Sequence, residues 1–246
     1  MIPGTIKKPA LVLLVFCLSL SFSATTALYA QDIGSKSKAE NGWIDLLAKN
    51  SQGMYTKHGW NHYGPGYFTL DPDTGVLSSR GGMGVFWYSA RQFKDFVLEL
   101  DFMCDKDNTN SGIFVRMPNM PISNDYIFEC FEIQIYDAAL SQKKHVVHTT
   151  DVKVTDDSPL LHTTGAVYDA EPPKEMASLG PNKWNHYKIT LQGLKYTIEL
   201  NGQVVNEWMA EPRGKVATHW PKGYIGLQNH DDTSSVHFRN IRVKEL

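Results

Sequence analysis

The feature that most constrains this chain is a strict two-residue alternation in Phe96-Val97-Leu98-Glu99-Leu100-Asp101-Phe102-Met103-Cys104. Phe96, Leu98, Leu100, Phe102 and Cys104 share one face, with Glu99 and Asp101 on the other, the pattern of a strand buried on one side. A helix would scatter those five side chains around its axis. The alternation returns after the turn at 105–110. In Ser111–Arg116, Ile113 and Val115 face inward, leaving Phe114 and Arg116 opposite. In Phe131–Ile135, Phe131, Ile133 and Ile135 face inward and Glu132 and Gln134 outward.

Downstream, Tyr187–Leu191 and Tyr196–Leu200 read as strands, followed by Asn201-Gly202 and the return Gln203-Val204-Val205. Asn-Gly is the strongest short hairpin signal. In Tyr224–His230, Ile225 and Leu227 face inward while Gln228 and His230 project from the other side. The run Val236–Val243 changes phase between Phe238 and Ile241, and a bulge near Arg239-Asn240 reconciles its halves. Long helical periodicity is absent. Short Val/Ile/Phe/Tyr/Trp runs between Gly, Pro, Asn and Asp clusters predict one all-β domain of two stacked antiparallel sheets.

Residues 138–175 break this rhythm. They are polar, carry His145, His148 and His162, and contain Pro159, Pro172 and Pro173. A long loop of this kind in a compact domain is usually functional or mobile. Spread-out histidines in a loop are more often solvent-exposed than metal-bound; a metal reading would take His148 together with Glu132 as ligands.

The N-terminus follows a different logic. Lys7 and Lys8 precede the apolar run Leu11–Leu20, and mostly small residues follow to Ala27. That order predicts a signal peptide over residues 1–30, cleaved after Ala30 or Ala27. The apolar run is short of the roughly 20 residues that span a bilayer, so no stable membrane insertion is expected after cleavage. Bulky Phe16 argues against lipidation of Cys17. Residues 31–41 then form a flexible lead-in, and 42–246 the single domain of an exported, periplasmic or extracellular protein.

Charge narrows the partners. Lys+Arg 24 against Asp+Glu 26 gives −2 for the chain, and 22 − 26 = −4 once residues 1–30 are removed. No positive excess is available to neutralise a phosphate backbone, which excludes nucleic acid as a natural partner. With 42% hydrophobic residues the chain is not a disordered one. Cys104 and Cys130 remain after cleavage; an oxidising compartment permits a disulfide, and two buried free thiols fit the sequence at least as well.

Parity gathers Arg116, Glu132, Gln134, Gln228 and His230 as polar groups opposite core residues. Such a mixture of donors and acceptors suits sugar hydroxyls, with Trp60, Trp87, Tyr88 or Trp220 as stacking platforms; a solvated sheet face is the bland alternative. The run Glu132-Ile133-Gln134-Ile135-Tyr136-Asp137 resembles the Glu-x-Asp-x-x-Glu strand of laminarinase-type glucanases, with Gln134 and Asp137 as departures. A retaining pair stands about 5–5.5 Å apart, and the shorter Asp137 weakens that reading. Gly81-Gly82-Met83-Gly84 reads as a turn, because no Lys-Ser/Thr and no helix follow. Asp105, Asp107, Thr109 and Ser111 alternate like a calcium loop but lack its glycine and closing glutamate, so a plain turn is expected.

Taken in order, the chain resembles the 3-keto-disaccharide hydrolase domain family. The resemblance runs through Gly42-Trp43-Ile44-Asp45-Leu46-Leu47, Asn110-Ser111-Gly112-Ile113-Phe114-Val115-Arg116 and Phe131–Asp137. It continues with Thr164-Gly165-Ala166-Val167-Tyr168, Gly226-Leu227-Gln228-Asn229-His230 and Phe238-Arg239-Asn240-Ile241. It implies a concanavalin A-like jelly-roll sandwich whose concave sheet carries the site. It also implies cleavage of 3-keto-glycosides, in which the ketone acidifies the C2 proton, an enolate forms and the C1 substituent is expelled. The residues carried over are Arg116, Glu132, Gln134, Tyr168, Gln228 and His230. The implied roles are Glu132 as base or metal ligand, Arg116 or a divalent cation as oxyanion stabiliser, and His230 or Asp137 as acid. No organic cofactor is implied. A non-catalytic glycan-binding module and a laminarinase-like glucanase stay open as alternatives.

Overall fold

Packing of two antiparallel sheets, each with one apolar face, organises the chain. The computed structural model describes residues 41–138 and 159–246. The expected signal peptide, nearly all of the lead-in, and His145 and His148 lie outside the described residues. The first five strands are β1 (Trp43–Asp45), β2 (Trp60–Tyr63), β3 (Tyr67–Leu70), β4 (Leu77–Arg80) and β5 (Gly84–Tyr88). Then come β6 (Phe96–Cys104), β7 (Asn110–Met117), a one-turn helix α1 (Tyr126–Glu129) and β8 (Phe131–Tyr136). The remainder are β9 (Asn185–Gln192), β10 (Lys195–Leu200), β11 (Gln203–Met209), β12 (Tyr224–Asn229) and β13 (Val236–Glu245).

One sheet has eight strands in the order β11-β10-β9-β6-β13-β4-β3, with β1 also paired to β13. The other has five, β2-β5-β12-β7-β8. The pairings within both sheets are antiparallel. The fold is a concanavalin A-like jelly-roll sandwich.

The alternation read from the sequence builds the core. Leu98, Leu100 and Phe102 of β6 and Ile189 of β9 are buried in the same cluster as Ile113, Ile133, Ile225 and Leu227 of the smaller sheet. Each such side chain contributes about 1.5–3 kcal/mol by leaving water. The expected bulge in β13 is present: its register against β6 shifts between Arg239 and Arg242, and Asn240 takes φ 54°. Val236 and Phe238 before the bulge and Ile241 and Val243 after it all enter the core. Asn201 (φ 53°) and Gly202 (φ 81°) form the expected tight turn between β10 and β11, with the two positive φ values that a type I′ hairpin needs.

Cys104 and Cys130 are free thiols. Cys104 lies between the sheets and Cys130 in a second cluster with Val85, Trp87, Phe114, Met117 and Tyr126. Burial pushes both thiols up, which keeps them unreactive. Gly81–Met83 turn the chain from β4 to β5 as expected. In the 105–110 turn, Asp105 Oδ1 lies 2.8 Å from His237 Nε2, an ordinary side-chain tie.

Candidate functional site

The second apolar cluster marks a face that a two-layer sandwich would leave to solvent: the outer face of the five-stranded sheet. The registers of β5, β12, β7 and β8 align Trp87, Gly226, Phe114 and Glu132 in one rank across it. The neighbouring rank, two residues along each strand, holds Val85, Gln228, Gly112 and Gln134. A glycine stands inside each rank. At Gly112 a Cβ would collide with Glu132 Oε1 and lie 2.6 Å from its Cγ. The missing side chain is what lets Glu132 fold across β7.

Glu132 is 2% exposed, and its Oε2 lies 2.9 Å from Lys215 Nζ. A buried charge persists only when paired, and Lys215 supplies the pair from the connection between β11 and β12. Lys215 Nζ also sits 4.0 Å above the Tyr168 ring. Tyr168 is brought there by segment 163–168, which covers the free edge of β8: Tyr168 N donates to Glu132 O (2.9 Å) and Gln134 N to Ala166 O (3.0 Å). An uncovered edge would invite pairing with another chain. His162 stacks on Tyr168 at 4.5 Å, and its Nε2 lies 2.6 Å from Asp169 Oδ1.

Helix α1 lays Tyr126 over the same face, edge-on to Phe114 (5.2 Å, 88°) and to Tyr63 (6.1 Å, 77°). Burial pushes the Tyr126 phenol well above its ordinary pKa, and the Glu132 carboxylate adds to the effect; the group is a neutral O–H. Trp87 Nε1, Tyr126 Oη and Gln228 Oε1 are buried here without a hydrogen-bond partner among the described residues. Leaving such an atom unpaired costs about 1–3 kcal/mol. Two donors and an acceptor kept at that cost are suited to a ligand bearing both kinds of oxygen, as a sugar does.

Glu132, Gln134, Gln228 and Tyr168 are thus brought together on one face. Gln134 Oε1 accepts from Ile135 N at 3.1 Å. Three expected members are placed elsewhere. The register of β12 against β7 shifts between Tyr224 and Gly226, and Arg116 takes φ 54°. This bulge turns Arg116 away from the outer face into the end of the sandwich, where it meets Lys94 O (2.8 Å), Gly193 O (2.7 Å) and Asp95 Oδ1 (3.1 Å). Asp137 has the parity of Ile133 and Ile135 and points inward, accepting from Thr164 Oγ1 and from Ser178 Oγ (2.6 Å). His230 lies past the end of β12, exposed, with Nδ1 2.7 Å from Asp231 Oδ2. Of the two expected metal ligands, His148 lies outside the described residues, and Glu132 is taken by Lys215. No group of three or more His, Cys, Asp or Glu side chains that could hold a metal is found among the described residues. Of the expected platforms, only Trp87 reaches this face as part of its apolar cluster; Trp60 is in the core with Nε1 donating to Leu46 O at 2.6 Å.

Two expected results follow from these placements. Gly112→Ala must push the whole Glu132 side chain aside, because the added Cβ would meet its Cγ and Cδ (2.6 and 2.7 Å) as well as Oε1, and with it the buried pairing to Lys215. A melting curve should show a Tm below that of wild type, because the carboxylate and the ammonium lose a buried pairing. Asp137 is different. Burial holds its carboxyl above the ordinary carboxylate range, against the two hydroxyls that favour the charged form. Protonation therefore favours the folded state: this contribution is full below about pH 4 and is lost as pH rises through the raised pKa. Asp137→Asn imitates the protonated acid, and either hydroxyl can turn to accept from its amide. Melting curves across pH should show the Asp137→Asn protein matching wild type in acid and exceeding it toward neutrality.

A jelly-roll sandwich that gathers a paired carboxylate, amides and aromatic rings on one sheet face belongs to the carbohydrate-related proteins of this fold. The chain belongs to the family of 3-keto-alpha-glucoside-1,2-lyase-like domains, whose model matches residues 42–244. It is similar to a candidate glycosyl hydrolase from Parabacteroides distasonis, at 26% identity and TM-score 0.62, over 83% of this chain and 99% of that one. Another candidate glycosyl hydrolase from the same organism matches at 17% identity and TM-score 0.61, over 83% and 94% of the two chains, and shows the shared fold. No curated protein matches the chain. Among the described residues, no helix is long and apolar enough to cross a membrane.

Proposed function

We propose that this protein cleaves 3-keto-glycosides by removing the proton at C2, with Glu132 as the base. The observation that carries this reading is the buried Glu132 carboxylate, folded over Gly112 and paired with Lys215, on a face with unpartnered polar atoms. Asp137, the other carboxylate of the β8 run, points inward, so that strand lacks the partner a glucanase-type displacement requires. Proton abstraction beside a ketone needs one base and a donor for the developing oxyanion.

Glu132 takes the C2 proton, the C2–H electron pair becomes the C2–C3 π bond, and the carbonyl pair moves to oxygen as an enolate. The enolate then reforms the ketone as C1–C2 becomes double and the C1–O bond breaks, its pair leaving with the aglycone oxygen. That oxygen takes up one proton, which Glu132 gives up directly or through water to regenerate its carboxylate. Addition of water across C1 and C2 completes net hydrolysis. Lys215 holds the Glu132 carboxylate in place between turnovers. The Lys7-Lys8 pair, the apolar run after it and the small residues to Ala27 support export as the setting for this chemistry.

The test is product analysis of a 3-keto-glucoside incubated with the purified protein, in parallel with EDTA and with added divalent cation. The expected result is release of the aglycone with an unsaturated 3-keto sugar or its hydrate, and, when the incubation is run in D2O, deuterium at C2 of the hydrate and of recovered substrate. Substrate recovered unchanged in every arm overturns the reading. So does release of reducing ends from unoxidised β-glucan in place of that product; sugar binding without turnover would leave a glycan-binding module.

A further inference from the structure

We propose that Tyr126 is a catalytic residue of this site, its phenol donating a hydrogen bond to the C3 oxygen of the substrate and stabilising the enolate that Glu132 generates; the assignment rests on the C2-abstraction reading above. The role needs a filler, because Arg116, the side chain expected to hold that oxygen, spends its guanidinium on Lys94 O, Gly193 O and Asp95 at the end of the sandwich. An oxyanion donor must be neutral or cationic, desolvated, uncommitted to another acceptor, and beside the base.

Tyr126 meets each condition. It is 2% exposed, and its Oη has no hydrogen-bond partner among the described residues. Its ring stands at 88° to Phe114, and Phe114 is the direct cross-strand neighbour of Glu132. The ring is fixed from a second side by Tyr63, so the phenol is held before substrate arrives. Lys215, a cation on this face, is already engaged by Glu132. A tyrosine kept only to pack would do as well without its hydroxyl, since a buried O–H with no acceptor is destabilising. Kept in spite of that, the hydroxyl is explained by an acceptor that the free protein lacks, and a carbonyl oxygen becoming an enolate is such an acceptor.

Tyr126→Phe separates the two roles. With a 3-keto-glucoside as probe, kcat for aglycone release and the rate of C2 deuterium exchange in D2O should both fall about 10²–10³-fold. KM should change little, and Tm should stay level or rise. A packing role would leave both rates unchanged. Wild-type rates in Tyr126→Phe, alongside an inactive Glu132→Gln, overturn the assignment alone. Failure of the wild-type protein to exchange C2 or release aglycone overturns the cleavage reading and this assignment with it. Should the phenylalanine variant melt lower, C2 exchange is compared with wild type at a temperature where both are folded, and a wild-type rate there overturns the proposal.

Discussion

Glu132→Gln should lower turnover of a 3-keto-glycoside by about 10³-fold or more while leaving the protein folded. The amide has nearly the shape of the carboxylate but cannot take a proton, so the C2–H bond stays intact and deuterium exchange stops with product release. Stability will move as well, since Lys215 loses its ionic partner in a buried setting. The glutamine carbonyl still accepts from the ammonium, so the cost should be about 1–3 kcal/mol, short of the roughly 3–5 kcal/mol that an abandoned buried charge incurs. Adding Lys215→Met to Glu132→Gln should restore much of the lost Tm and none of the lost rate. That combination separates the chemistry of Glu132 from its structural pairing. A Glu132→Gln protein that retains a tenth or more of the wild-type kcat would remove the base from the mechanism.

What the sequence discloses and what it hides follow from one rule, the period-two alternation, and from where that rule stops applying. β6, β8, β9, β10 and β12 obey it, so their inner residues and the outer placement of Glu132, Gln134 and Gln228 are legible. The phase change at Arg239-Asn240 announces a bulge because two apolar pairs on opposite parities frame it. At Arg116 nothing frames the bulge: one residue is re-aimed after Val115, and the strand ends soon afterwards. His230 joins the outer face only if the alternation is extended past the last residue of β12, where the chain has left the sheet. Asp137, expected as an acid, has an odd number shared with Ile133 and Ile135, and that parity already puts it on the inner side.

The residues that complete the site carry no periodic signal. Tyr126 sits on a single helical turn, and Lys215 in an irregular connection whose course is set by tertiary contacts. β5, which holds Trp87, is buried on both faces under α1 and against the core, and such a strand reads as a plain apolar run without alternation. The local pattern thus reports which face a strand buries, and it is silent about what later folds over the other face.

Removing Arg116 should be strongly destabilising. Its guanidinium joins three parts of the chain: the Lys94-Asp95 approach to β6, the Gly193 turn between β9 and β10, and β7 of the opposite sheet. It therefore ties the two sheets at one end, with its plane 5.7 Å from the Tyr196 ring. His219 Nε2 accepts from Nη1 at 3.1 Å, and burial together with the same guanidinium lowers the His219 pKa, keeping the ring a neutral acceptor. Arg116→Leu takes the guanidinium donors from the Lys94 and Gly193 carbonyls and from Asp95. Asp95 is partly exposed and still accepts from Gly193 N at 2.8 Å, which moderates the loss to about 3–5 kcal/mol. For a domain of this size the melting temperature should fall about 6–20 °C. Lysine should not rescue it, because one ammonium cannot reproduce a planar fork that serves separate acceptors. Below its melting transition the Arg116→Leu protein should keep the wild-type KM and kcat for a 3-keto-glucoside, since the side chain never reaches the outer sheet face. A normal melting curve would refute the clamp. A folded variant that has lost turnover would return Arg116 to the reacting centre and require the bulge at the end of β7 to rearrange when substrate binds.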